Sequence, residues 1–216
     1  MVLERIMAPD PRSPWQTALR LEYVTVVYTV LEALASLAFG IVAGSVALTG
    51  FGLDSIIETL SGLVLIWRLR RHGQVSVDQE TGAEKLAERL VAASFILIGV
   101  YVLYEAVDRL ARGSVVEPSV PGVAIAFLSL IIMPVLAWRK RVISREIGSR
   151  ALLADAKETA VCGFLSAALL LGLLANYLFG FWQADPLAGI VIAIFLFHEG
   201  YETWCSSCGG CECTEG

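Results

Sequence analysis

The sequence predicts an all-α membrane protein, a bundle of six transmembrane helices. The chain of 216 residues is 56% hydrophobic and only 17% charged, and its mean hydropathy is +0.70. An ordinary soluble domain is far less apolar. Six apolar runs each approach the ~20 residues that a helix needs to cross a bilayer. In chain order they are Tyr23–Val42, Leu48–Trp67, Leu90–Leu110, Val120–Trp138, Leu153–Tyr177 and Pro186–Trp204.

Start and stop signals separate these runs. Residues 1–20 are polar and contain three prolines but no apolar core of a signal peptide, so we expect a short cytoplasmic arm before the first span. A polar loop, residues 72–87, divides the second span from the third. Pro121 opens the fourth span, and Asp185-Pro186 opens the sixth, with Asp185 as N-cap and proline at the first helical position.

Basic residues alternate between the loops and predict the orientation of the bundle. The loops between spans one and two and between spans five and six carry none. Positively charged loops stay in the cytoplasm, so both termini are expected there. The basic residues that decide this are Arg68, Arg70 and Arg71 after span two and Arg139, Lys140, Arg141, Arg145 and Arg150 between spans four and five.

Two pairs of ionisable residues lie inside apolar spans. Asp54 and Glu58 occupy the second span, and Glu158 and Cys162 occupy the fifth. Each pair is spaced i,i+4, which places both members on one face of a helix. Ionisable groups deep in a bilayer are costly and usually mark an ion or proton pathway. Three carboxylates and a thiol predict a metal site, although a lone Cys in an apolar helix can also act as a small hydrophobe.

The depths of the two pairs agree. Counted from the basic loops at ~1.5 Å per residue, Asp54 and Glu58 lie roughly 15–21 Å deep, and Glu158 and Cys162 lie roughly 12–18 Å deep. If the second and fifth spans are neighbours, four ligands converge near the midplane, and a tetrahedral set of oxygen and sulfur donors suits Zn²⁺ and similar divalent ions.

Two further acids are candidates for the transport site. Glu32 lies roughly 18 Å deep by the same rule. It is a proton carrier or a fifth ligand, or alternatively a protonated Glu hydrogen-bonded between helices. Asp155 and Lys157 lie at the mouth of the pathway, where they have an entry role or form a local ion pair.

The end of the chain is dense in thiols. In a reducing cytosol such a tract usually binds metal, and four thiolates suit Zn²⁺ or Cu⁺. The alternative is a palmitoylated juxtamembrane anchor or a reactive tail. The residues concerned are Cys205, Cys208, Cys211 and Cys213.

Three segments resemble the cation diffusion facilitator, or cation efflux, family of metal/proton antiporters. They are Gly44–Leu48 running into Gly52–Glu58, Ala151–Asp155, and Ala184–Ala188, within a resemblance that covers Tyr23 to Trp204. The resemblance implies six helices with paired metal ligands on the second and fifth, metal/proton antiport, and a homodimer. Asp54 matches the family's ligand at its position. Glu58 replaces the family's usual second Asp. On the fifth helix, Glu158 stands where His or Asp is usual, and Cys162 stands where Asp is usual. The chain ends soon after span six, so it resembles a compact subgroup without the family's cytoplasmic C-terminal domain.

The resulting hypothesis is a secondary active transporter, not an enzyme. Residues 1–20 form a cytoplasmic arm, residues 21–204 form the transmembrane transport domain, and residues 205–216 form a Cys-rich cytoplasmic tail. We expect it to export Zn²⁺, or alternatively Cd²⁺, Fe²⁺, Co²⁺ or Mn²⁺, across a prokaryotic inner membrane in exchange for protons. Its expected partners are metal ions, protons, lipid and a second copy of the chain, with no nucleic acid and no permanent cofactor. The alternative is a non-transporting membrane metal-binding or regulatory protein that works through its Cys tail.

Overall fold

The computed structural model describes residues 14–70, 77–113 and 119–207, and within these ranges it contains helices and no strand. The all-α prediction is therefore confirmed, with six helices in the described ranges. They are α1 (Pro14–Ala43), α2 (Val46–Arg70), α3 (Val77–Arg112), α4 (Val120–Ile147), α5 (Arg150–Phe179) and α6 (Ala184–Ser207). Since α1 begins at Pro14, residues 14–20 of the expected N-terminal arm are helical.

Over the residues that the structure describes, α1, α2, α4, α5 and α6 each contain a stretch long and apolar enough to cross a membrane. The chain is thus a multi-pass membrane protein. The predicted third span, Leu90–Leu110, forms the second half of α3, behind a charged first half. Many large apolar side chains point outward from the bundle, as a lipid-facing surface requires; the most exposed include Leu31, Leu34, Ile41, Val42, Leu97, Leu171 and Phe179.

Local capping explains where α4 and α5 begin. The Ser119 hydroxyl accepts a hydrogen bond from the amide of Gly122 at 3.1 Å, with Pro121 in the first turn, as the sequence predicted. Ser149 caps α5 in the same way through the amide of Leu152 at 3.3 Å. Between them Gly148 adopts φ 67°, a left-handed conformation that glycine reaches without strain.

Asp185 caps a different helix from the one predicted. Helix α6 begins at Ala184, so Asp185 already lies in its first turn rather than at its N-cap. Its carboxylate instead accepts hydrogen bonds from the amide of Val46 at 2.9 Å and from the hydroxyl of Ser45. A residue of α6 therefore caps α2, because the two helix N-termini meet at the same end of the bundle.

Helix α2 occupies a central position. It packs against α1, α3, α5 and α6, while the closest helix pairs are α1 with α2, α4 with α5, and α3 with α6. Small residues permit this proximity: a Cβ on Gly52 would stand 3.0 Å from the backbone nitrogen of Leu37 on α1. The central helix α2 consequently presents its polar face to both α1 and α5, which sets up the candidate site.

Candidate metal centre

Three helices bring three potential ligands together. Glu32 on α1, Glu58 on α2 and Cys162 on α5 each offer one ligand atom, and these atoms all lie within 4.8 Å of one another. The side chains are 4%, 2% and 1% exposed. Two ligand atoms on one tetrahedral Zn²⁺, each at ~2.0–2.3 Å from the ion, stand about 3.3–3.8 Å apart, so the three atoms need to approach one another by at most about 1.5 Å to share an ion.

Glu58 is the least satisfied member of this set, which we call the Glu32–Glu58–Cys162 centre. Among the described residues no donor meets hydrogen-bond geometry at either buried carboxylate oxygen, although the Thr159 hydroxyl and the Cys162 thiol lie close enough to interact with this carboxylate. Buried polar atoms are nearly always partnered, and an unpaired buried carboxylate is costly. A cation or a proton at this position removes that cost.

Glu32 is oriented from neighbouring helices. Its Oε2 accepts a hydrogen bond of 2.9 Å from Ser55 on α2, and its Oε1 accepts one from Ser129 on α4. The hydroxyls of Tyr28 and Ser129 are also hydrogen-bonded, at 2.8 Å. This support fixes the direction of the carboxylate while leaving each oxygen a further lone pair for a cation.

Asp54 and Glu158 lie beside the centre rather than in its tightest set. Asp54, one turn before Glu58 on α2, is 6% exposed. It is close enough to Glu58, Glu32 and Cys162 to interact electrostatically with all three. Glu158 Oε2 accepts a 2.9 Å hydrogen bond from Ser61, whereas its buried Oε1 has no hydrogen-bond partner. Neither acid belongs to the set whose ligand atoms lie within 4.8 Å of one another.

The four predicted ligands and Glu32 thus occupy one region, between α1, α2 and α5. The sequence treated Glu32 as an additional residue, whereas the geometry places it with Glu58 and Cys162. Two carboxylates and a thiol are a mixed oxygen and sulfur donor set, which suits Zn²⁺ and related transition ions better than Mg²⁺ or Ca²⁺.

Asp155, the other additional candidate, forms an ion pair with Lys140 on α4, whereas the sequence had suggested a local pair with Lys157 on its own helix. Lys140 is completely buried, and its Nζ also lies 3.2 Å from Oε2 of Glu22 and 3.2 Å from the hydroxyl of Thr159. Asp155 is one turn from Glu158 on α5 and is not part of the Glu32–Glu58–Cys162 centre.

Sequence reasoning missed the residues that support these side chains. Lys140 was read only as a loop base that sets orientation, and Glu22 was not considered. Their spacing carried a signal, because Ser129, Met133, Leu136 and Lys140 follow one another at helical intervals and are all buried. On α1 a similar stripe of buried polar residues runs through Glu22, Thr25, Thr29, Glu32 and Ser36.

The Cys tail is only partly described. Cys205 is a free thiol, 5% exposed, near the end of α6. Cys208, Cys211 and Cys213 lie outside the described residues, so the tail metal site stays a prediction.

Comparison with known proteins gives a family match over most of the chain. The sequence profile of the cation efflux transmembrane domain matches residues 23–208. Transmembrane protein 163 of Xenopus laevis is 24% identical over 199 residues, which cover 91% of this chain and 69% of that protein. The cadmium, cobalt and zinc/H(+)-K(+) antiporter of Bacillus subtilis is 25% identical over 179 residues, 81% of this chain and 56% of that protein. The magnetosome protein MamB of Magnetospirillum gryphiswaldense is 25% identical over 167 residues, 76% of this chain and 56% of that protein.

Proposed function

The chain belongs to the cation efflux family of membrane transporters of metal cations, and from that premise we propose that it is a proton-coupled exporter of Zn²⁺ or a similar divalent transition metal. The observation that carries this proposal is the Glu32–Glu58–Cys162 centre, which brings potential ligand atoms of three buried residues from three helices within 4.8 Å of one another. The centre lies inside helices that are apolar enough to span a membrane.

The donor set supports the choice of metal. A thiolate favours Zn²⁺ and Cd²⁺, carboxylates also accept Fe²⁺, Co²⁺ and Mn²⁺, and ions that require all-oxygen shells bind less well. One relative, the Bacillus subtilis antiporter, is named for cadmium, cobalt and zinc. We rank Zn²⁺ first, with Cd²⁺ next.

Proton exchange follows from the chemistry of the ligands. Carboxylates and thiols bind a metal only after losing their protons, so metal binding releases protons and protons drive metal release. We propose that the bundle rocks so that the centre faces each side of the membrane in turn, a motion in which metal leaves outward and protons return. The process is secondary active transport, not enzymatic catalysis.

The proposal also includes the direction of metal transport, the membrane and the oligomeric state. From the basic residues at the C-terminal ends of α2 and α4, and by the positive-inside rule, we propose that both termini lie in the cytoplasm. Metal then enters the centre from the cytoplasmic side and leaves across a prokaryotic inner membrane. We propose a homodimer as the working assembly.

Flux measurements with matched variants test the proposal. Purified protein is reconstituted into vesicles that contain a pH-sensitive dye, and uptake of Zn²⁺ and internal pH are followed together. The wild type should move metal with an opposing proton flux. Glu58→Gln, which keeps the volume of the side chain but removes its charge, should reduce metal flux at least about tenfold, as loss of a ligand implies.

Glu105→Gln is the matched control. Glu105 is an acid on α3, a helix that carries none of the three residues of the centre, and it is ion-paired to Arg109 at 3.0 Å. This variant should transport like the wild type. Metal binding without flux for any ion tested would contradict the transporter hypothesis, and equal flux in Glu58→Gln and wild type would contradict the site.

A further inference from the structure

The buried ions Glu22, Lys140 and Asp155 form a second charged cluster that the metal centre does not use. Lys140 Nζ lies 3.2 Å from Oε2 of Glu22 and is ion-paired to Oδ2 of Asp155. Lys140 and Glu22 are completely buried, and Asp155 is 4% exposed. The three residues come from α4, α1 and α5, so the cluster joins the helices that carry Glu32 and Cys162.

This cluster is not a balanced structural ion pair. It contains two acids and one base, and among the described residues no donor meets hydrogen-bond geometry at Oε1 of Glu22 or Oδ1 of Asp155, while the two carboxyl groups lie close enough to interact with each other. A buried ion pair contributes little to stability compared with apolar residues of the same volume, and only complete hydrogen bonding offsets the loss of hydration. Two adjacent buried acids with one base carry an excess negative charge unless a proton or a cation joins them, so the cluster is suited to binding a cation.

The cluster lies in line with the metal centre. Glu22 is ten residues before Glu32 on α1, which is roughly 15 Å, and Asp155 is seven residues before Cys162 on α5, which is roughly 10 Å. Glu22 and Asp155 therefore both lie on the same side of the metal centre, toward the end of the bundle where α4 ends and the basic residues lie. Glu58 lies within electrostatic range of Lys140, so the two clusters also interact.

We propose that Glu22 and Asp155 form a second binding station for the transported divalent cation, a station that the tethered ammonium of Lys140 fills in this conformation. This inference rests on the proposed transport function, since the cation is the one that the protein moves. The ammonium stands where a cation would contact a carboxylate from each of two helices and the hydroxyl of Thr159. Its long apolar stem lets the ammonium withdraw toward the end of α4, as lysines near helix ends do.

Removing the tethered ammonium tests the station directly. In the full chain in detergent, Mn²⁺ binding is counted from the loss of the free-ion electron paramagnetic resonance signal, because Mn²⁺ prefers oxygen ligands over the tail thiols. Lys140→Met should bind one more Mn²⁺ per chain than the wild type. Adding Glu22→Gln and Asp155→Asn to Lys140→Met should abolish that extra ion. The same Mn²⁺ count in Lys140→Met and wild type would overturn the proposal.

A second variant keeps the test decisive if Lys140→Met does not fold. Lys140→Arg preserves the charge, but a planar guanidinium forms stronger, bidentate hydrogen bonds with carboxylates than an ammonium does. If the cation must displace this group, Lys140→Arg should slow Zn²⁺ transport about tenfold. Arg141→Lys, a change at the exposed neighbouring position, should not slow transport. Wild-type transport by Lys140→Arg would overturn the proposal.

Glu58→Gln separates failure of the station from failure of the proposed function. The extra Mn²⁺ of Lys140→Met should persist when Glu58→Gln is added, because the station does not include Glu58. Loss of transport in Glu58→Gln with no extra ion in any Lys140 variant would leave the transporter intact and reject the station. An extra ion in Lys140→Met with no transport in the wild type would show that Glu22 and Asp155 bind a cation, and would reject the proposed transport function.

Discussion

The hydroxyl of Ser61 on α2 donates a 2.9 Å hydrogen bond to Oε2 of Glu158 on α5. The bond joins the two helices that carry the predicted ligand pairs. It occupies one oxygen of Glu158 and leaves the other, Oε1, free to turn toward the metal centre. Losing a hydrogen bond that orients a metal ligand typically lowers metal affinity.

Ser61→Ala should therefore weaken Zn²⁺ affinity about tenfold, because Glu158 loses the group that orients it. Ser61→Thr keeps the hydroxyl and should retain near-wild-type affinity. The measurement is the Zn²⁺ concentration that gives half-maximal uptake in vesicles. Equal values for Ser61→Ala and Ser61→Thr would show that the hydrogen bond does not assist metal binding.

Replacing the thiol should change which metal is preferred. Cys162→Asp converts a mixed oxygen and sulfur set into an all-oxygen set, so the ratio of Cd²⁺ to Mn²⁺ uptake should fall about tenfold. Cys205→Ser is the comparison that separates the two predicted metal sites, since it removes a buried thiol of the tail and leaves Cys162 in place. Competition between the two ions in one uptake assay measures the ratio. A ratio that responds equally to both substitutions would place the thiol outside the metal centre.

The cap that α6 provides to α2 should contribute to stability. Asp185→Ala removes the acceptor for the amide of Val46 and the hydroxyl of Ser45, and should lower the free energy of unfolding by about 1–2 kcal/mol. Asp108→Ala breaks an exposed pair with Arg112 and should change it by less than about 1 kcal/mol. Unfolding in mixed micelles measures both. Similar losses for the two variants would contradict the capping role.

Close helix packing should make one glycine intolerant of a side chain. A Cβ on Gly172 of α5 would stand 2.7 Å from the Cβ of Ala188 and 3.1 Å from the carbonyl oxygen of Ala184 on α6. Overpacking of this kind costs about 1–3 kcal/mol. Gly172→Ala should therefore lower the midpoint of thermal unfolding markedly.

Gly189→Ala is the graded comparison for that prediction. At Gly189 the nearest atom is a Val46 side-chain carbon at 3.3 Å, so the neighbour needs to yield by only a few tenths of an ångström. The midpoint should fall less than in Gly172→Ala. An equal or larger fall in Gly189→Ala would show that the α5–α6 backbone separation is not the limiting contact.

The sequence predicted the helices and the ligand pairs because both depend on local spacing. Apolar length identifies a span, and i,i+4 spacing places Asp54 with Glu58 and Glu158 with Cys162 on helix faces. Depth counting also placed Glu32 at the level of these pairs. None of this required knowledge of which helices are neighbours.

Tertiary contacts account for what the sequence did not predict. Asp185 reads as a cap for its own helix, and only the meeting of α2 and α6 makes it a cap for another. Lys140 stands among surface bases, and its burial follows from the rotational position of α4 against α1 and α5. The choice of Glu32 as a member of the tightest ligand set likewise depends on α1 packing beside α2.

The most direct test of the metal centre is X-ray absorption at the zinc edge, on full-length protein in which Cys205, Cys208, Cys211 and Cys213 are replaced by Ser. With the tail thiols removed, Cys162 is the remaining sulfur ligand among the cysteines. We expect one sulfur at ~2.3 Å and two or three oxygens at ~2.0–2.2 Å from the zinc, with the sulfur contribution lost in Cys162→Ser. Bound zinc with an all-oxygen shell before that substitution would contradict the Glu32–Glu58–Cys162 centre.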